Sequence, residues 1–254
     1  MKRLFKTNEG LTVRIFATRT EMGRAAAEHA AELIRKHLET HKTLNAIFAA
    51  APSQNEFLEA LLRQDIEFER IHAFHMDEYI GLPADAPQGF GHFLRHAIFD
   101  RAPFASVHYI NGQAADCDAE CERYAALLQE HVPDIVFMGI GENGHIAFND
   151  PPVADFHDSR LVKKVELDSM CRQQQVNDGC FSTLGKVPHF ALTVTVPGLM
   201  QAAHHICVVP GPKKAEAVRN TLLGPVGEQC PATALRRAAD AVLYLDEESA
   251  RALD

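Results

Sequence analysis

The chain has 254 residues, with 25 lysines and arginines against 34 aspartates and glutamates, so its formal net charge at pH 7 is −9. This acidic balance argues against a protein that mainly binds nucleic acid or an anionic membrane, because both need a basic surface. Hydrophobic residues make up 46% and charged residues 23%, which is typical of a globular and not of a disordered chain. No apolar run approaches the ~20 residues of a membrane-spanning helix, so we expect a soluble protein.

The cysteine content and the first residues both favour the cytoplasm. Six cysteines in a chain of this length do not form a disulfide scaffold, and reduced thiols suit a reducing compartment. Residues 1–16 are charged and alternating, without the apolar centre of a secretory signal. We therefore expect a cytoplasmic protein.

Hydrophobic periodicity predicts that strands and helices alternate along the chain. The predicted strands are residues 11–15, 44–51, 71–76, 134–139, 191–196, 206–209 and 241–245, and the predicted helices begin near Thr18, Ser53, Phe90, Asp118 and Lys213. Thr18 with Glu21, and Ser53 with Glu56, have the spacing of capping boxes. This alternation predicts an α/β fold with a mostly parallel sheet and helices on both faces. Because no linker or repeat is visible, we expect a single domain over residues 1–254.

Ligands of parallel α/β sheets bind beyond the carboxyl ends of the strands, so the segments that follow the strands are the candidate sites. The strongest candidate is residues 139–152, GIGENGHIAFNDPP, which we call the glycine-rich loop. Its glycines, Gly144 among them, allow the backbone to approach a ligand. Histidine is the side-chain type suited to acid–base chemistry near neutral pH, and Asp150 is suited to orient the His145 ring for it. The alternative is a glycine-rich turn with a solvated histidine.

Three further segments are weaker candidates. In FHMDEYIGLP, Asp77 and Glu78 end a predicted strand, where a desolvated carboxylate suits a general base or simply caps the next turn. In PGPKKA, a lysine in the first turn of a helix suits an anion, although Lys213 and Lys214 also suit a solvated surface. In AAPSQN, Ser53 offers a hydroxyl to an anion, but we expect it first of all to be a helix N-cap.

The sequence lacks several common catalytic and metal-binding motifs. Neither Cys117 with Cys121 nor His204 with His205 has the paired spacing of a zinc site. The HExxH, P-loop and GxSxG motifs are absent.

Taken together, FHMDEYIGLP, GIGENGHIAFNDPP, VPHFALTVTVPGLMQA and PGPKKAEAV have the order and spacing of the glucosamine-6-phosphate deaminase (isomerase) family. The resemblance extends over nearly the whole chain. It implies a Rossmann-like parallel α/β fold, no metal and no organic cofactor. It also implies an aldose–ketose isomerisation followed by loss of ammonia, giving fructose 6-phosphate. The related 6-phosphogluconolactonases carry a similar histidine block, but not DEYIGL followed by HIAFN.

The resemblance also implies roles for particular residues. Asp77 matches the base that moves the proton between C2 and C1 of the sugar. His145 matches the histidine that opens the sugar ring, and Asp150 matches the acidic residue that supports it. Asn143 falls where many members have aspartate. Lys214 matches a lysine that contacts the substrate phosphate.

The chain departs from the family pattern at two places. The family's phosphate loop is usually Gly-Gly-Thr/Ser-Pro, whereas residues 50–53 are Ala-Ala-Pro-Ser, so we expect the loop to have a different shape. The family's phosphate-binding arginine has no counterpart in residues 177–181, and replacing a guanidinium is not a conservative change. Arg172 is a candidate to compensate for it. Glu142 is a candidate to supply the charge that Asn143 lacks, and we include it among the substrate-binding residues.

The first hypothesis is therefore a glucosamine-6-phosphate deaminase. The alternatives are an isomerase or lactonase that acts on a different sugar phosphate, and a catalytically silent sugar-phosphate sensor. We expect a small sugar phosphate as the partner, and neither nucleic acid nor a membrane. Homo-oligomerisation is left open.

Overall fold

The structure is a computed structural model that describes residues 1–253. Its strands are β1 (Arg3–Lys6), β2 (Thr12–Phe16), β3 (Leu44–Phe48), β4 (Ile71–His75), β5 (Asp77–Tyr79), β6 (Ser106–His108), β7 (Ile135–Met138), β8 (Val162–Glu166), β9 (Phe190–Val194), β10 (His204–Val209) and β11 (Ala241–Asp246). Its α-helices are α1 (Arg19–Leu38), α2 (Asn55–Leu61), α3 (Phe90–Leu94), α4 (Cys117–Glu130), α5 (Ser169–Asn177), α6 (Val196–Met200), α7 (Ala215–Leu223) and α8 (Glu247–Ala250). Short 3₁₀ turns cover Pro52–Gln54, Phe68–Arg70, Leu184–Lys186, Pro212–Lys214 and Pro231–Arg237, and a π-helical turn covers Arg95–Phe99.

Eight strands form the central sheet in the order β1-β2-β11-β10-β7-β3-β4-β6. Neighbouring strands of this sheet are parallel except for β1, which pairs antiparallel with β2. The mostly parallel α/β fold predicted from the sequence is thus confirmed. A second, antiparallel sheet has the order β5-β9-β8 and was not predicted. Its strand β5 is short and β8 contains two lysines, so neither produced a clear apolar pattern.

Alternate residues of the central strands pack into two separate hydrophobic layers. In β7, Ile135 and Phe137 lie in one layer, whereas Val136 and Met138 lie in the other. Helices α1 and α2 cover the first layer, and α4 and α7 cover the second. Strands buried on both faces read as continuous apolar runs, which explains why these strands were predicted correctly. No helix within residues 1–253 is long and apolar enough to span a membrane.

The ends of the helices are partly as predicted. The Thr18 side chain caps α1 by accepting a hydrogen bond from the Glu21 amide at 3.2 Å, as the capping box predicted. The predicted cap at Ser53 is wrong, because Pro52 starts a 3₁₀ turn from Ala51 and places the serine inside that turn. Two other helix starts also differ.

Asp116, and not Asp118, caps α4, since its Oδ1 accepts from the amides of Asp118 and Ala119 at 3.0 Å each. Helix α7 begins at Ala215 and not at Lys213, because the 3₁₀ turn Pro212–Lys214 precedes it.

The close contact between α1 and α2 depends on Gly23. A Cβ atom there would lie 2.7 Å from the Glu56 Cβ and 2.9 Å from the Phe57 nitrogen.

Alanine normally stabilises a helix interior relative to glycine by about 1 kcal/mol, but the overlap at Gly23 should outweigh the gain. We expect Gly23→Ala to lower the free energy of unfolding by about 1–3 kcal/mol, measured by denaturant titration. Gly185→Ala is the control, because nothing lies within 4 Å of its Cβ position. Equal stability of Gly23→Ala and the wild type would contradict this packing.

Candidate functional site

A cleft lies beyond the carboxyl ends of four neighbouring strands, β10, β7, β3 and β4. Segments that follow each of these strands contribute to its wall, as the sequence predicted for parallel strands. The lining residues are Ala49, Ala50, Ala51, Ser53, Gln54, Met76, Asp77, Phe90, Gly139, Ile140, Gly141, His145, Ala147, Phe148, Gln174, Gln175 and Lys214. Four of the predicted site residues, Ser53, Asp77, His145 and Lys214, are therefore brought together.

Asp77 and Glu78 face different surroundings. Asp77 lines the cleft, is only 6% exposed, and its carboxylate accepts no hydrogen bond within residues 1–253. The Glu78 carboxylate lies outside this cleft and accepts hydrogen bonds from the amides of Tyr79, Phe90 and Gly91 at 2.8–3.0 Å. Successive side chains of a strand point to opposite sides, which explains the separation. The predicted position needs one correction: Asp77 begins β5 instead of ending β4.

The electrostatic environment of Asp77 disfavours its charged form. Burial raises the pKa of this carboxyl well above its ordinary value, and the nearby charges of Glu78 and Asp150 act in the same direction. A carboxylate with a raised pKa is a stronger base than one in water. The residue is thus suited to accept a proton from a ligand in the cleft.

The glycine-rich loop places His145 against Asp150. Nδ1 of His145 lies 2.9 Å from Oδ1 of Asp150, an ion-pair distance without an in-line hydrogen bond. Asn143 holds both groups: its Nδ2 donates to the same Asp150 oxygen at 2.9 Å, and its Oδ1 accepts from the His145 amide at 3.1 Å. Burial alone would raise the pKa of Asp150, but the His145 charge and these hydrogen bonds outweigh it and lower the pKa. Asn143 and Asp150 do not line the cleft themselves, but they hold His145, which does.

Small residues shape this loop. A Cβ atom on Gly141 would overlap the His145 ring, so only glycine leaves room for it. Gly144 has φ +84°, and a Cβ atom there would lie 2.6 Å from Sγ of Cys230. Gly144 is not among the residues that line the cleft, and its visible role is to close the loop. Ala147 lines the cleft with φ 49°, a left-handed conformation that is rare outside glycine.

Lys214 supplies a cation to the cleft. It is 7% exposed, and its ammonium group has no hydrogen bond or ion pair within residues 1–253. Burial lowers its pKa, while the charges of Asp178 and Glu142 oppose that shift. Its neighbour Lys213 is exposed and reaches the Asn177 carbonyl oxygen at 3.3 Å. The structure therefore separates two lysines that the sequence could not distinguish.

Ser53 lies beside Gln54 in the wall of the cleft. Nε2 of Gln54 donates to the Ser53 Oγ at 3.1 Å and to the Val208 carbonyl oxygen at 3.2 Å. This bond uses Ser53 Oγ as an acceptor and leaves its own hydroxyl hydrogen available. Ser53 is thus held in place as a donor toward the cleft.

Glu142 is connected to the cleft through Gln174. Its amide donates to Oε1 of Gln174 at 2.8 Å, and Nε2 of that glutamine donates to Asp178 at 3.3 Å. Glu142 does not line the cleft, and its Oε1 is buried without a hydrogen-bond partner. Arg172 does not line the cleft either: its Nη2 donates to the carbonyl oxygens of Leu184 and Val187 at 2.8 and 2.9 Å. The proposed compensation by Arg172 finds no support in this arrangement.

Sequence reasoning missed the contribution of α5, which presents Gln174 and Gln175 to the cleft. The helix has few apolar residues, so its periodicity was weak. The available signal was the run of three glutamines shortly before residues 177–181, where the resemblance places a phosphate-binding arginine.

Among residues 1–253, one group could hold a metal ion. Donor atoms of His145, Asp150 and Cys171 all lie within 4.8 Å of one another. Nitrogen, oxygen and sulfur ligands of this kind suit zinc. However, the Asp150 oxygens already accept hydrogen bonds from Asn143 and from the Asp168 amide. A bound metal would have to displace these bonds and would withdraw His145 from the cleft.

Comparisons with known proteins agree with this geometry. The family model described as glucosamine-6-phosphate isomerases/6-phosphogluconolactonase matches residues 17–244. A glucosamine-6-phosphate deaminase of Listeria innocua is 35% identical over 235 residues, which cover 92% of this chain and 98% of the relative. One from Bacillus cereus is 31% identical over 223 residues, covering 88% of this chain and 83% of the relative.

Solved structures give the same result. A monomeric glucosamine-6-phosphate deaminase superposes with a TM-score of 0.87 at 29% identity, covering 94% of this chain and 99% of that chain. A 6-phosphogluconolactonase from Trypanosoma brucei superposes with a TM-score of 0.80 at 18% identity, covering 99% and 100%, and supports the fold alone. The family match, the identity to curated relatives and the shared fold together show that this chain belongs to the glucosamine-6-phosphate isomerase/6-phosphogluconolactonase family.

Proposed function

We propose that this protein isomerises and deaminates an amino-sugar phosphate, most simply glucosamine 6-phosphate, to give fructose 6-phosphate and ammonia. The observation that carries the proposal is that one cleft holds a buried, unpaired carboxylate, a histidine and an unpaired ammonium group: Asp77, His145 and Lys214. Curated relatives of this length carry the name glucosamine-6-phosphate deaminase. We assign the activity to one Rossmann-like domain over residues 1–254. The six free cysteines favour a reducing compartment such as the cytoplasm.

The first step is opening of the sugar ring by His145. Its Nδ1 faces Asp150, and its Nε2 has no partner within residues 1–253. This leaves Nε2 to move a proton between the anomeric hydroxyl and the ring oxygen. The Asp150 charge stabilises the imidazolium that forms, and Asn143 keeps the pair aligned.

The second step is transfer of a proton from C2 to C1 by Asp77. The carboxylate removes the C2 proton to give the enolate of an enolamine, the same carboxyl returns the proton to C1, and a proton moves from the nitrogen to O1 to leave a C2 imine. Water then hydrolyses the resulting C2 imine to a ketone and releases ammonia. A buried carboxylate without hydrogen bonds suits the abstraction of a carbon-bound proton, since no partner stabilises its charged form.

The phosphate is held by Lys214, the Ser53 hydroxyl and the backbone N–H groups of Ala51 and Ser53, since Pro52 has no N–H and the Gln54 N–H already donates to the Ala51 carbonyl oxygen at 2.9 Å. The phosphate charge offsets the desolvation that lowers the pKa of Lys214, so binding favours the ammonium form. This assembly supplies the charge-assisted hydrogen bonds that a phosphate needs.

A panel of substrates tests the proposal. Phosphorylated and free hexosamines are assayed for ammonia release, and a phosphogluconolactone is assayed for hydrolysis. We expect ammonia from glucosamine 6-phosphate and little from free glucosamine. Lactone hydrolysis without ammonia release would support the lactonase alternative, and sugar-phosphate binding without any turnover would support the sensor.

Asp77→Asn tests the base directly. Removal of a general base typically costs at least ~100-fold in rate, so exchange of the C2 proton with deuterated water should fall by at least that factor while sugar-phosphate binding persists. Glu78→Gln is the matched control, because this carboxylate faces away from the cleft. NMR measures the exchange. Normal exchange in Asp77→Asn, or loss only in Glu78→Gln, would remove the role of Asp77.

The same variant should be more stable than the wild type at neutral pH. A carboxyl whose pKa is raised by folding contributes stability that is present below its unfolded pKa of ~3.9 and is lost as pH rises through the raised folded pKa. Asparagine stays neutral and avoids this loss. We therefore expect a higher melting temperature for Asp77→Asn at pH 7.5, with the difference shrinking toward pH 4. The exposed control Asp85→Asn should not show this trend. A lower melting temperature of Asp77→Asn at pH 7.5 would contradict the electrostatic assignment.

Lys214→Ala tests the phosphate site. Hydrogen bonds to charged groups contribute about 1.5–3 kcal/mol, so the Michaelis constant for glucosamine 6-phosphate should rise roughly tenfold to a hundredfold. The exposed neighbour provides the control, and Lys213→Ala should change this constant little. Steady-state kinetics measure the Michaelis constant of both variants. An unchanged constant in Lys214→Ala for every sugar phosphate would show that the anion binds elsewhere.

A further inference from the structure

Three consecutive glutamines of α5 occupy three different environments. Gln173 is exposed, and its Nε2 donates to Oδ1 of Asn177 at 3.2 Å. Gln174 is buried, and both polar atoms of its side chain are hydrogen-bonded: Oε1 accepts from the Glu142 backbone amide and Nε2 donates to the Asp178 carboxylate. Gln175 is 7% exposed and lines the cleft, and its side-chain amide has no hydrogen bond within residues 1–253.

The side-chain amide of Gln175 is available to a ligand. It belongs to a residue that lines the cleft, no hydrogen bond within residues 1–253 uses it, and its polar atoms are not fully buried. Its backbone is well held, since its carbonyl oxygen accepts from the amides of Cys180 and Phe181 at 3.0 and 3.3 Å. A rigid backbone and a free side-chain amide make Gln175 a preorganised donor toward the cleft.

The location of Gln175 favours an anionic ligand. The contact between Lys213 and the Asn177 carbonyl ties the end of α5 to the turn that carries Lys214. Lys214 is the only lysine or arginine among the residues that line the cleft. A phosphate monoester carries about 1.5–2 negative charges at pH 7 and three strong acceptor oxygens, so it can accept further hydrogen bonds beyond those from Lys214, Ser53 and the backbone. The two N–H groups of a carboxamide can donate such bonds.

We propose that Gln175 is a substrate-binding residue that donates hydrogen bonds from Nε2 to the phosphate of the sugar phosphate, beside Lys214. This inference rests on the proposed function, because it names a further contact of the same substrate. Gln174, in contrast, is a positioning residue that connects the glycine-rich loop to the end of α5.

Gln175→Glu is the decisive substitution. It keeps the shape of the side chain, removes both donors and adds a negative charge toward the phosphate. We expect the Michaelis constant for glucosamine 6-phosphate to rise by tenfold to a hundredfold with little change in kcat, the signature of lost ground-state binding. The inhibition constant of inorganic phosphate should rise in parallel. Gln173→Glu, the same substitution on the exposed face of the helix, should change neither constant.

Gln175→Leu separates the loss of the donors from the added charge and from any folding defect of the glutamate variant. In Gln175→Leu the inhibition constant of inorganic phosphate should also rise, but by a smaller factor than in Gln175→Glu. If the Michaelis constant rises while the inhibition constant of inorganic phosphate stays unchanged, Gln175 contacts the sugar and not the phosphate, and the proposal is overturned. Wild-type values of both constants in both variants would also overturn it.

Binding of fructose 6-phosphate and inorganic phosphate is also measured by calorimetry. If the wild type binds them but releases no ammonia, the proposed function fails, while the binding of the Gln175 variants still tests the contact.

Discussion

The parallel register of four strands, β10, β7, β3 and β4, is the constraint on which the cleft depends. Parallel strands in register end at one edge of the sheet, so segments that are far apart in the chain lie side by side there. The strand interiors are apolar on both faces and provide rigidity. The segments just beyond them carry the polar groups. The hydrogen-bonded register of the strands therefore determines which side chains lie in the same cleft.

The site is distinguished by polar groups that the fold leaves unpaired. Asp77, Gln175 and Lys214 have low exposure, line the cleft and have no side-chain hydrogen bond or ion pair within residues 1–253. Each has a sequence neighbour of similar chemistry that the fold treats differently. Glu78 is saturated by backbone amides, Gln174 bridges two segments, and Lys213 lies at the surface. Within each pair, one residue lines the cleft without a partner within residues 1–253, and the other is held by protein groups or lies at the surface.

The histidine is supported in the opposite way, by a loop with little freedom. Asn143 bonds to both Asp150 and the His145 backbone, and the absence of a side chain at Gly141 gives the ring its place. The left-handed conformation of Ala147 indicates that the surrounding contacts impose the shape of the loop. Such rigidity holds the imidazole in one orientation, which the proposed proton transfer to and from a sugar requires. Asp77, by contrast, depends on the pairing of β5 with β9 for its position.

Because long apolar runs and glycine-rich junctions are local patterns, the sequence by itself determined the α/β class, the buried strands and most of the segments that line the cleft, though not α5. It also predicted Asp77, His145 and Lys214 as site residues, through motifs that resemble a known family, and the structure places all three in the cleft. It could not reveal the antiparallel sheet of β5, β9 and β8, whose short or charged strands are stabilised by partners distant in the chain. Nor could it distinguish Gln175 from its neighbouring glutamines, or show that Arg172 is occupied by the carbonyl groups of Leu184 and Val187. Only tertiary packing decided these points, since whether a polar group is paired or free depends on which distant backbone and side-chain atoms lie beside it.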